Sequence, residues 1–333
     1  MNGVEKRIGD IVVKVDYRTE LMGVITWLGK YHKEMPELYS REGNKEYIKE
    51  IRKEFKPYAK DEVIKEFDKL VKEFDLYNED SFEMFLELDN ELNPTDETNE
   101  QKINNFPLKL KDFSEKIGFD NFFEKHRNEY ETYVENVSKI FETIDVSKFM
   151  FDYFGYKLNK RINVILMPFA YGETITYIND YEINLLIPVE EEKTFTYENG
   201  NEYLVLESIV YEISKELINT ISKSKQIKLD SDIFENIKGV MNKYDLLTNE
   251  EILIEHLVKA IENRFISIAL NNEGFADGRR VLNITSGFVY IDYIIDLLKQ
   301  YEKTKEIYSS FDTYYPLLVE RLKENIKNQE IDK

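Results

Sequence analysis

One pentad stands out for its spacing: Tyr211-Glu212-Ile213-Ser214-Lys215. Positions i and i+4 of a helix share a face. Two imidazoles placed there can grip one zinc ion, and a glutamate directly after the first can act as base toward metal-bound water. In this chain the two ligand positions hold Tyr211 and Lys215, while Glu212 occupies the base position. A phenol ligates zinc only after losing its proton, and an ammonium has no lone pair to give at pH 7. The pentad thus has the layout of a metal-hydrolase motif without its imidazoles. The plain alternative is an ordinary helix with a solvated Glu212–Lys215 pair at i,i+3.

The elements around the pentad can be read from periodicity. Leu206, Ile209, Val210, Ile213, Leu217 and Ile221 form a one-face apolar stripe, which predicts a helix over about 202–222. A second helix is predicted over 248–270, opening with a capping box at Thr248 and Glu251. Upstream, residues 162–169, 174–178 and 182–188 are β-branched and apolar, and the turn signals Tyr171-Gly172 and Asn179-Asp180 separate them. They predict a small sheet of about three strands. A short strand is expected at 11–15, and helices at 18–30, 45–75, 80–91, 108–117, 119–143, 286–302 and 311–327. Together these predict an α+β fold, mostly helical, with a small central sheet followed by the pentad helix. The expected organisation is one unit over 1–333, with sub-regions 1–92 (helical), 93–101 (polar loop), 102–160 (helical), 161–200 (sheet) and 201–333 (helical).

The segments VDYRTELMGVITWL (15–28), FPLKLKDFSEKIGFDNFFEKH (106–126) and VILMPF (164–169) carry a resemblance, as do YLVLESIVYEISKELIN (203–219), EHLVKAIENRF (255–265) and the stretch 287–316. In order and spacing they resemble a bacterial domain-of-unknown-function family related to gluzincin, HExxH-type, zinc metallopeptidases. Members read HEFSH or similar where this chain reads YEISK. The resemblance implies a zincin-like fold. It implies that Tyr211 and Lys215 stand at relic ligand positions, that Glu212 is the relic base, and that Glu255, 43 residues after Glu212, stands where a third ligand would be. With the imidazoles gone, no metal and no cofactor is expected, and the chain reads as a catalytically inactive relative. Lys215 is expected to replace the cation by pairing with Glu212 and Glu255. The retained cleft between the sheet and the 203–221 helix is expected to bind an extended peptide or protein segment by strand addition. Two alternatives remain at this point: a zinc-dependent hydrolase with non-standard ligands, and a scaffold whose cleft is filled by side chains.

Composition narrows the classes further. Asp and Glu number 65 against 45 Lys and Arg, for a net charge of −20. Such a surface repels phosphate backbones and anionic headgroups, so nucleic-acid partners are not expected. The chain has no cysteine, which excludes disulfides, thiolate metal sites and a cysteine nucleophile. No apolar run is long enough to insert in a membrane, and no apolar leader opens the sequence. A cytoplasmic location is expected for the chain as written, or a secreted or cell-surface one had an export signal been trimmed. Oligomeric state is not encoded in any pattern here.

The remaining candidates have simpler readings. His32 and His126, isolated among charges, are expected at the surface or at helix caps. Glu255 and His256 point about 100° apart on a helix and do not easily share one ion. Asp16-x-Arg18-x-Glu20 reads as a helix entry with local ion pairs. Gly274, Gly278 and Gly287 fit no phosphate loop, and Gly287 marks the turn into the helix bearing Tyr290 and Tyr293.

Overall fold

The computed structural model describes residues 3–34, 45–74, 79–95, 106–157, 159–170, 174–189 and 201–331. The chain divides into two compact units, Met1–Thr143 with Lys160–Val205, and Ile144–Asn159 with Leu206–Lys333.

The first unit is built on a mixed sheet. Val4–Ile8 (β1) and Ile11–Val15 (β2) form a hairpin across Gly9 and Asp10. Gly9 takes φ +59°, the left-handed conformation that a tight two-residue turn asks of its first residue. Arg161–Met167 (β3) lies parallel to β2, and Glu182–Pro188 (β5) parallel to β3. Ile175–Ile178 (β4) is antiparallel to β5, giving the order β1-β2-β3-β5-β4. Every residue of β3 and β5 after the first is buried, the pattern of parallel strands covered on both faces. The sheet has five strands rather than about three because the N-terminal hairpin joins the trio read from 162–188.

Helices cover this sheet. Tyr17–Leu28 (α1) starts at Asp16, whose carboxylate accepts from the Arg18 N–H as an N-cap. Tyr31–Glu34 (α2) is a single turn. The stretch 45–75 is not one helix. Lys45–Phe55 (α3) and Glu62–Phe74 (α4) are separated by a 3₁₀ turn, Lys56–Tyr58, at Pro57. Glu79–Leu86 (α5) is shorter than expected. Phe106–Ile117 (α6), Phe119–Lys125 (α7) and Arg127–Thr143 (α8) follow, and α8 packs on β1 and β2. Most of the polar loop 93–101, the turn at Tyr171-Gly172 and the acidic run 190–192 lie outside the described residues.

The second unit is helical. It contains Val146–Phe154 (α9), then Asn201–Lys225 (α10) from Leu206 onward, and Glu235–Met241 (α11). Asn249–Ile268 (α12), Glu273–Thr285 (α13), Ile291–Lys303 (α14) and Phe311–Ile331 (α15) complete it. The capping box at Thr248 and Glu251 is present and fixes the start of α12. α12 packs against both α13 and α14 and is buried on most of its surface. The helix expected from 286 starts instead at Ile291, because Gly287 turns the chain at φ +103°. Among the described residues no helix is long and apolar enough to cross a membrane.

Candidate functional site

The pentad lies on α10 as the apolar stripe demands. Leu206, Ile209, Val210, Ile213, Leu217 and Ile221 are all buried, and Ser214 is fully buried with them. Tyr211, Glu212 and Lys215 are left half-buried on the polar side. Glu207 is one turn before Tyr211, so Glu207, Tyr211 and Lys215 form a single polar row at i, i+4 and i+8. On α12, Glu255, Lys259 and Glu262 form a second row at i, i+4 and i+7.

The two rows meet. The Tyr211 hydroxyl donates to Glu255 Oε2 at 2.8 Å, a contact between residues 44 apart in sequence. Glu255 is buried, and its Oε1 lies 3.0 Å from the Lys259 ammonium. Lys259 also lies over the rings of Phe288 and Tyr211, at 4.9 and 5.7 Å. At the far end, Arg279 on α13 grips the buried Glu207 with two nitrogens, Nε to Oε1 at 2.7 Å.

The structure thus joins Tyr211, singled out by spacing, to Glu255, the third-ligand position that the resemblance implies. The counter-ion role expected of Lys215 belongs to Lys259. Among the described residues Lys215 forms no ion pair with Glu212 or Glu255, and its ammonium sits over the Tyr211 ring at 5.3 Å. Geometry explains this: Lys259 is on the same helix as Glu255, one turn away, whereas Lys215 follows Tyr211 by a turn and stacks back on it. Lys259, Glu207, Glu262 and Arg279 were not singled out from the sequence. The signal was there, because Lys259 stands at i+4 from Glu255 and Glu207 at i−4 from Tyr211.

Electrostatics shape what this cluster can do. Burial, reinforced by the neighbouring Glu255 charge, drives the Tyr211 phenol well above its ordinary value, so it stays a neutral donor. Desolvation also raises Glu262, to about 8, against the opposing pull of Lys259. Both oxygens of Glu255 already have partners. The residues therefore do not suit zinc: a phenol held protonated, an ammonium on the remaining carboxylate, and among the described residues no group of three or more His, Asp or Glu placed to hold a metal ion.

The histidines go elsewhere. His256 is fully buried, with Nδ1 2.8 Å from the Ile252 carbonyl and its ring packed among Phe234, Phe288 and Tyr290. Burial lowers it to about 4. His32 and His126 belong to the first unit. His32 is half-buried, stacked on Trp27 at 5.0 Å and bonded to the Thr26 carbonyl. His126 is buried rather than at the surface, although it is the C-cap residue of α7 as expected of a capping histidine. Asp16 and Arg18 pair locally as expected, with Lys14 at 3.0 Å from Asp16. Burial alone would raise Asp16, but those two cations outweigh it and hold the carboxyl well below the usual range. Glu20 departs from that reading: it is fully buried and accepts from the Tyr47 hydroxyl, which also bonds Tyr130, and burial raises it to about 8.

Residues 95–321, well over half of the chain, match the family model described as Domain of unknown function (DUF4932). The chain belongs to the DUF4932 family. The DUF4932 match takes in both α10 with its pentad and α12 with Glu255, so the cluster described above lies inside the family's shared region. No curated protein and no solved structure is significantly similar to the chain.

Proposed function

We propose that this chain is a metallopeptidase-like protein that has exchanged metal chemistry for a binding role. One observation carries the reading: the Tyr211 hydroxyl bonds Glu255 while Lys259 neutralises it, at the two positions where the gluzincin resemblance puts the first and third ligands. Residues that would converge on a metal in an active relative converge here on each other. The phenol's hydrogen bond and the ammonium's charge satisfy the carboxylate that would otherwise coordinate a zinc ion. The alternative of a hydrolase with unusual ligands is disfavoured by His256, whose Nδ1 is committed to its own helix and whose ring is enclosed by aromatic neighbours.

The surface offered for binding is one of the sheet's two edge strands, β4. Its Tyr177 is anchored by a 2.6 Å bond to Glu87, while Ile175, Thr176 and Ile178 are half-exposed. Such a strand accepts an extended segment of a peptide or protein through backbone hydrogen bonds.

The test of inactivity is direct. Wild-type protein and Glu212→Gln are incubated with fluorogenic casein and added zinc. The reading expects the same background rate for both. Cleavage by the wild type that falls at least a hundredfold in Glu212→Gln would overturn it, because that loss is the signature of a working general base, which contributes about 10²–10⁴-fold.

A further inference from the structure

Outside the α10–α12 cluster, the first unit carries a pocket of about 770 Å³ formed by the end of α1, the turn after α3 and one face of α4. Leu28, Ala59 and Ile64 supply an apolar floor. Lys30, Lys60, Lys65 and Lys69 stand around it. This is an unusual concentration of positive charge for a chain of net charge −20.

Some other lysines beside α4 find carboxylates. Lys109 pairs with Glu62 and Glu66 of α4, and Lys116 with Asp61. At the pocket the acids are already engaged. The Asp68 carboxylate accepts from the Lys30 backbone N–H at 3.0 and 3.2 Å, and Glu73 lies 3.6 Å from Lys69. Among the described residues the side chains of Lys30, Lys60 and Lys65 form no ion pair. Three exposed lysines with no ion pair among the described residues, lining one pocket with Leu28, Ala59 and Ile64, match a ligand with an anionic head and an apolar body. The volume falls in the range of small-molecule sites, about 300–1,000 Å³.

We infer that this pocket binds a small amphiphilic anion, an alkyl or similarly apolar group bearing a carboxylate or phosphate. The head is held by Lys30, Lys60 and Lys65, and the body lies on Leu28 and Ile64. The binding is electrostatic at its rim and weakens with salt.

Titration calorimetry on the full chain tests this with four probes kept below their micellar concentrations: octyl phosphate, octanoate, neutral octyl glucoside and inorganic phosphate. At least one of the two octyl anions is expected to bind at a single site, and the tighter of them identifies the head group. It should bind at least tenfold more tightly than either octyl glucoside or inorganic phosphate. A Lys30→Gln, Lys60→Gln, Lys65→Gln triple variant, its fold verified by circular dichroism, should lose tenfold or more. Failure of both octyl anions to bind, equal binding of either control, or unchanged affinity in the triple variant would each overturn the assignment.

Discussion

His256 sits one position from Glu255, yet the two residues live in different chemical worlds. Glu255 meets a phenol and an ammonium, whereas the His256 Nε2 is buried among aromatic rings with no hydrogen-bond partner among the described residues. The cost of charging that ring is visible in its lowered value, about 4. Between pH 4 and about 6.5, the ordinary histidine value, the unfolded chain binds a proton that the folded chain refuses. The stabilisation is therefore complete above about 6.5 and drains away as the pH falls toward 4, by up to about 3 kcal/mol. Denaturant midpoints measured from pH 7 to 4 should show this loss in the wild type and a shallower slope in His256→Phe. Identical slopes would mean that the ring is not buried neutral.

At the scale of elements, α1 shows how closely this fold is packed. A Cβ added at Gly23 would lie 2.5 Å from the Phe169 ring, just past the end of β3, where the Trp27 indole also donates to the Phe169 carbonyl at 2.9 Å. Gly23→Val should cost at least about 1–3 kcal/mol, because a ring enclosed by core side chains has little room to retreat; unfolding curves indistinguishable from wild type would refute that packing. Much of this scale was legible in the residues. The strands at 161–188 announce themselves by continuous β-branched runs, and the α12 start by its capping box. β1 was not, since VEKRI buries only Val4 and alternates weakly. Nor was α13: EGFADGRRVLNIT carries two glycines, and only its Ala276 is buried, so no apolar stripe marks it. At the site, spacing on the pentad helix picks out Tyr211, while Glu255 comes only from what the family resemblance implies. Lys259 escapes a reading centred on the pentad because it lies on the helix of the carboxylate it neutralises.

For the whole molecule, the charge distribution is as informative as the fold. An acidic chain keeps its carboxylates apart or paired, and the α10–α12 cluster does both, alternating Glu207 with Arg279 and Glu255 with Lys259. The apolar backing of that cluster holds the phenol neutral and leaves it suited to donating a hydrogen bond. Membership of the DUF4932 family spans this cluster without bringing an activity with it, so the account rests on the chemistry of the residues themselves. Its central claim is that Tyr211 and Lys215 stand in former ligand positions. The most direct measurement is zinc titration, by calorimetry and elemental analysis, of the wild type beside a Tyr211→His, Lys215→His double variant. The account predicts no stoichiometric zinc in the wild type and one bound ion per chain in the double variant, with two imidazoles at i and i+4 and Glu255 released to join them. Stoichiometric zinc in the wild type, or none in a folded double variant, would contradict it.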